Sequence, residues 1–326
     1  MRNERYRRKG CGVDMKEVRL PKRAGRSLLK EYRRHYQLIL MLLPGVAALI
    51  MFCYVPMYGV LIAFKDYKFL QGITGSAWVG LEHFRTLFGQ QNFAGVIYNT
   101  VYISIFKLLL GFPTPIILAL LLNELRVQRY KNFIQTCTYL PHFFSWVVLA
   151  GIFKMVFSNV GPVNEILQFF GMNTRLDFFS DGGLFRGLVI GSAVWQSAGW
   201  GAIIYLAALS GVDESLYEAA YVDGAGRLRQ TFSISIPCII PTIITVFILN
   251  LGNVLNAGYD QIYNMYNPTV YNVADIIDTY VMRALKAMDY GAGTAAELFK
   301  SVISFVLVMA ANKLTSKLSD NELGIM

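Results

Sequence analysis

Six long apolar stretches, at roughly 37–64, 96–122, 133–158, 184–210, 237–258 and 297–315, restrict this chain more than anything else in its sequence. Crossing a bilayer takes about 20 helical residues, and each stretch is about that long or longer. Hydrocarbon offers backbone N–H and C=O groups no partner, so each stretch is predicted to be a helix. The balance of the chain agrees: 55% of residues are hydrophobic and 16% charged, against about a quarter charged in soluble domains. The predicted fold class is an all-α integral membrane protein with six transmembrane helices. The first stretch is too long for a signal-peptide core and is expected to persist as a helix.

The formal net charge of +9 resembles a nucleic-acid signature until it is located. Residues 1–36 hold 13 Lys/Arg against 4 Asp/Glu, and the rest of the chain carries 17 of each sign. The excess is therefore one basic tail directly before the first apolar stretch, where positive-inside topology places it. No nucleic-acid module follows, so lipid rather than nucleic acid is the expected contact. The 124–132 turn carries Arg126, Arg129 and Lys131, and Lys313 and Lys317 lie at the C-terminal end, whereas 159–183 has only Arg175. Both termini are expected in the cytosol. The division is a cytosolic tail 1–36, a membrane domain 37–315 and a cytosolic C-terminal tail 316–326. The 259–296 connection lies outside and is expected to hold a short helix near Ala274–Met288.

Enzyme chemistry finds little support. There is no phosphate-binding glycine loop, since Lys300-Ser301 lacks the glycines. His35, His83 and His142 lie in separate segments, and the four cysteines carry no CxxC spacing, which favours inert thiols over metal ligands or disulfides. No catalytic residue, metal site or cofactor is expected in the chain.

The inner loop 211–236 is more informative. Asp213 can cap a helix that starts at Glu214. Leu216, Ala219, Ala220 and Val222 supply apolar and small side chains, and Gly224 or Gly226 can end the helix in a left-handed conformation. Such a helix, about 15 Å long, would lie exposed in the cytosol, and its small residues would permit docking into a partner's groove. A structural connector is the plainer alternative.

The same loop, with Glu218-Ala219-Ala220, Asp223, Gly224, Gly226 and then Ile236-Pro237, resembles the EAA loop of ABC importer permeases. Ile236 stands where Leu is more usual. The similarity extends through Tyr54-Val55-Pro56-Met57-Tyr58-Gly59-Val60, Gly111-Phe112-Pro113-Thr114-Pro115, Tyr139-Leu140-Pro141-His142-Phe143 and the stretch from Trp200-Gly201 to Ala208. These look like the carbohydrate-importer branch, within it the permeases for complex oligo- and polysaccharides. The resemblance implies a type I importer core in a bacterial cell membrane, with Glu218–Gly226 coupling to ATPases. It also implies a second permease subunit, two cytosolic ATPase subunits that hold ATP and Mg²⁺, and an extracytoplasmic sugar-binding protein.

Polar groups inside a membrane are costly and mark candidate pathways. At 100° per residue, Asn250, Asn253, Asn256 and Asp260 share one face of the fifth span within about 120°. Trp195, Gln196 and Trp200 form a broader cluster on the fourth span. Amides pair with hydroxyls and rings cover the apolar faces of sugars, although amides also join helices to one another. Lys107 lies deep in the second span, where a cation suits a carboxylated saccharide or a structural pairing with a helix-end carbonyl or an acid. The reading is an importer permease for oligo- or polysaccharide fragments, with an acidic sugar as a candidate. The alternative is a stand-alone ion-coupled transporter, which would want buried midplane carboxylates and repeated halves; neither is visible.

Overall fold

A computed structural model describes residues 36–318. The basic tail, apart from Tyr36, and residues 319–326 lie outside the described residues. The chain divides into two compact units after His83.

In the first unit α1 (Tyr36–Leu49) runs on without interruption to Phe64, its winding loosened over Ile50–Tyr54 and tightened over Val55–Phe64. Pro56 supplies no N–H, so the regular ladder cannot pass through it. A small hairpin follows, in which β1 (Lys65–Asp66) pairs antiparallel with β2 (Ala77–Trp78). The Phe64 and Trp78 rings stack on it, with centroids 5.8 Å apart.

The second unit is a helical bundle. α2 (Gln91–Gly111) and α3 (Pro113–Asn123) make one membrane-length element. Pro113 sits in the first turn of α3, where its missing N–H costs nothing. α6 (Gly182–Ser210), the 227–252 helix ending in α8 (Ile236–Gly252), and α11 (Tyr290–Leu318) supply three more. Two buried apolar clusters hold the bundle. One joins Ile103, Phe185, Val189, Ile262 and Met265, and the other joins Ala119, Ala202, Tyr205, Leu209 and Ile239.

Two of the six predicted spans need correction. The stretch 133–158 is not one straight helix: the 128–143 helix, beginning with α4 (Gln128–Tyr139), and α5 (Trp146–Val156) are bent by 105° at Phe144–Ser145. Phe144 and Ser145 are extended, and the Ser145 side chain accepts from Val148 N to start a new helix. Sequence hydropathy cannot register this break, because apolar residues continue through it. The fifth span stops at Gly252 rather than 258, and the chain then turns through Asn253–Ala257. Gly258, at φ +88°, redirects it into the short α9 (Tyr259–Met265).

The short helix expected near Ala274–Met288 is present as α10 (Ile277–Lys286). Cys53 and Cys137 are free thiols.

Candidate substrate path and partner-facing helix

Asp213 starts α7 (Glu214–Val222) by accepting from Ser215 N at 3.0 Å. The hydrogen bonds from Ser215 hold the Asp213 carboxyl below the usual carboxylate range. At the other end Gly224 takes φ +75°, Ala225 N donates to Ala220 O at 2.9 Å, and Gly224 N donates to Tyr221 O at 3.0 Å. That pair of bonds is a Schellman closure, which favours glycine at the left-handed position. Gly224 therefore ends the helix, while Gly226, at φ −67°, starts the next turn.

The Tyr217 hydroxyl ties α7 to Ser235 Oγ, 2.8 Å away, and beyond the helix Arg227 reaches Glu124 Oε2 at 3.3 Å. Glu218, Ala219, Asp223 and Gly224 are exposed, with Tyr221 79% and Val222 84% exposed. Two large apolar side chains in the open at a tightly capped helix end form a surface suited to a partner.

Inside the bundle Lys107, Asn250, Asn253 and Asn256 converge on one cavity of about 200 Å³, together with Ser104 and Ser197. Asn253 and Asn256 reach it from non-helical turns rather than from one helical face. Asn253 N bonds Asn250 O, and Asn256 N bonds Asn253 O, so the chain keeps a near-helical spacing without the helix. Asp260 lies beyond Gly258 and faces a second cavity of about 430 Å³, and Asn256 lines both. The predicted single face of four residues is thus split between two adjoining cavities.

Lys107 makes bonds of the structural kind while also lining the cavity. Its Nζ donates to Ala257 O at 2.7 Å and to Gln261 Oε1. Among the described residues it forms no ion pair. An ammonium carries three donors, so one remains for the cavity it lines.

Trp195, Gln196 and Trp200 lie outside both cavities. The Trp200 ring stacks on His142 with centroids 4.7 Å apart, and Trp195 meets Phe153 edge to face. These tryptophans hold the two halves of the bent third span against α6. Both rings stay about half-exposed, Trp195 at 51% and Trp200 at 48%. Gln261 and Ser104 were not predicted. Ser104 lies one helical turn before Lys107 and was detectable on that ground; Gln261 became a neighbour only through the turn at Gly258.

Residues 111–319 match the model of a family described as binding-protein-dependent transport system inner membrane component. The chain is 44% identical over 297 residues to the polygalacturonan/rhamnogalacturonan transport system permease protein YteP of Bacillus subtilis (strain 168), covering 90% of this chain and 92% of the relative. It is similar to a chain of the crystal structure of a bacterial ABC transporter involved in the import of the acidic polysaccharide alginate. That match has a TM-score of 0.83 and 38% identity, covering 90% of this chain and 100% of the other. A crystal structure of the bacterial alginate ABC transporter, in complex with alginate pentasaccharide-bound periplasmic protein, matches with a TM-score of 0.84 and 38% identity, covering 92% and 100%.

Proposed function

Because this chain belongs to the family of binding-protein-dependent transport system inner membrane components, we propose that it is the permease subunit of an ATP-binding-cassette importer for acidic oligo- and polysaccharide fragments. A second permease subunit completes the pathway, two cytosolic ATPase subunits hold ATP and Mg²⁺, and an extracytoplasmic binding protein delivers the sugar. Both termini lie in the cytosol of a bacterial cell, with the basic tail against anionic lipid.

The observation that carries this reading is α7, a helix capped at both ends whose outer surface is left uncovered. Closure of the ATPases moves a docked α7, and the bundle rocks with it between outward and inward openings. The acidic substrate class is supported by the polygalacturonan and alginate systems named above. It is supported in the chain by Lys107, a basic side chain lining a cavity together with two serine hydroxyls, three asparagine amides and apolar groups. Cation and amides together match a uronate, whose ring bears one carboxylate among several hydroxyls.

Purification of the tagged chain from its native membrane, with uptake of labelled galacturonate oligomers in the same cells, tests the proposal. The expected result is co-purified ATPase and uptake that stops when ATP is depleted. Uptake that follows an ion gradient, with no ATPase bound, would establish the stand-alone transporter instead.

A further inference from the structure

A displacement of α7 moves the bundle only through the contacts that join the two. The backbone leaves α7 through Gly224, at φ +75°, and Gly226, which precedes the 227–252 helix. Glycines add backbone freedom, so this route alone transmits a push poorly. Gln230 Nε2 braces the turn at Ala225 O, 2.9 Å away, without reaching α7. Arg227 reaches Glu124, but the two side chains are 52% and 40% exposed, and ion pairs in such surroundings are weak. Among the described residues, one hydrogen bond joins a side chain of α7 itself to another helix. It runs between the Tyr217 hydroxyl and Ser235 Oγ, 2.8 Å apart.

Ser235 stands at an irregular point of its helix. Over Thr231–Ser235 the winding widens, and Ile236 N donates to Thr231 O, five residues back instead of four. Single widened turns of this kind occur often at functional sites. Directly after it Pro237 supplies no N–H, and Pro241 one turn later supplies none either. The ladder is weakened at three successive places between the end nearest α7 and the long apolar part of α8. Such a segment bends more easily than an unbroken helix.

Beyond Ser235 the connection is firm. Ser235 is 2% exposed. Ile239, one turn on, is fully buried in the cluster with Ala119 of α3 and with Ala202, Tyr205 and Leu209 of α6. Close-packed interiors transmit displacement rather than absorb it. A push delivered at Ser235 therefore reaches three helices, whereas one absorbed in the widened turn stops there.

We infer that Tyr217 and Ser235 are positioning residues for transport, whose hydrogen bond bridges the softened turn and makes α7 and the start of α8 move together. The inference rests on the importer reading and extends it from the docked helix to the contact that passes its motion inward. Tyr217 is half-buried while Glu218, Tyr221 and Val222 are exposed. Removing its hydroxyl therefore leaves the partner-facing surface in place.

The test uses the complete transporter in proteoliposomes, with its second permease, ATPases and binding protein, and a galacturonic acid tetramer as the probe. ATP hydrolysed per tetramer imported is measured for Tyr217→Phe, Ser235→Ala, the double change and Ser235→Thr. Tyr217→Phe keeps the ring and Ser235→Ala keeps the helix, so each removes little besides the bond. The ratio is expected to rise about two- to tenfold in each of these, the span of one neutral hydrogen bond, with the ATPase still co-purifying. The double change should be no worse than either single one, because both remove the same interaction. Ser235→Thr keeps a hydroxyl and should stay near the parent. Four results would each overturn the inference and leave the importer reading standing: an unchanged ratio in the single changes, effects that add in the double change, a ratio raised as far by Ser235→Thr as by Ser235→Ala, or loss of the ATPase on purification. If the parent itself shows no ATP-dependent uptake, the importer reading fails and this inference falls with it.

Discussion

Lys107 and Gln261 meet across 154 positions of chain, the ammonium on α2 donating to the amide oxygen on α9. The amide nitrogen passes the connection on to Ser192 Oγ at 2.8 Å and Val189 O at 2.7 Å on α6. Three elements are joined by one buried polar chain with no carboxylate in it. In hydrocarbon surroundings such bonds are worth about 0.6–2 kcal/mol each.

That connection sets the first prediction, which concerns Gly258. A Cβ there would lie 2.8 Å from Lys107 Nζ, on a backbone at φ +88°. Gly258→Ala should therefore lower the stability of the complex by about 1–3 kcal/mol, read as a lower melting temperature. Gly187, in the second turn of α6 with nothing within 4 Å of an added Cβ, serves as the control. Gly187→Ala should be neutral or mildly stabilising. Equal melting temperatures for Gly258→Ala and the parent would mean that the turn at 253–258 yields without cost.

The second prediction separates the two uses of Lys107. Lys107→Met removes both bonds that tie Ala257 and Gln261 to α2, which should slow every substrate somewhat. It also removes the basic side chain that lines the first cavity, which should slow acidic sugars alone. Uptake of a galacturonate tetramer should fall roughly tenfold or more, from the loss of a charge-assisted bond of about 1.5–3 kcal/mol. A neutral tetramer should fall by much less. An equal effect on the two, or none on either, would remove the acidic half of the substrate assignment.

Orientation supplies the third prediction. By the positive-inside rule the basic tail and the Arg126–Lys131 turn are expected on the cytosolic side. A cysteine introduced at Asn3, on a background without the native cysteines, should react with a membrane-impermeant reagent only after the cells are opened. Labelling of intact cells would reverse the topology and put α7 on the wrong side for an ATPase.

Hydropathy made the membrane-length helices legible and cap chemistry made α7 legible, since both depend on neighbouring residues. Asp213, Glu214 and Gly224 mark the ends of α7 by local chemistry alone, and the helix spans Glu214–Val222 as their positions require. The interior was less legible because its geometry is set where periodicity stops. Asn253 and Asn256 reach the same cavity as Asn250 through turns, and Asp260 leaves it because Gly258 reverses the chain. The tryptophans of α6 satisfy the pattern of a sugar platform and also meet His142 and Phe153, while both stay about half-exposed. Residue type and spacing do not show such ring contacts between distant segments. The partners of Lys107 lay 150 and 154 positions away, beyond any local signal.

The last prediction bears on α7 as the coupling element. Nothing in this chain lies within 4 Å of a Cβ added at Gly224, so no clash inside the subunit limits that position. The backbone does, because φ +75° is costly for a side chain by about 1 kcal/mol or more. Gly224→Val should loosen the closure in which Ala225 N meets Ala220 O, and with it the surface formed by Tyr221 and Val222. Gly224→Asp adds a charge at the helix C-terminus, where the macrodipole disfavours an anion. Neither change touches a membrane-spanning segment, so insertion and the level of the permease should hold. Uptake should be abolished and the ATPase should be lost on purification. Glu218→Ala should give a milder defect, since it removes one exposed charge and keeps helix propensity. Uptake, permease abundance and co-purified ATPase are measured in the same cells, so that loss of coupling is told apart from loss of the protein. Normal uptake by Gly224→Asp with the ATPase still bound would make α7 an ordinary connector and leave the ATPase contact to be sought elsewhere on the chain.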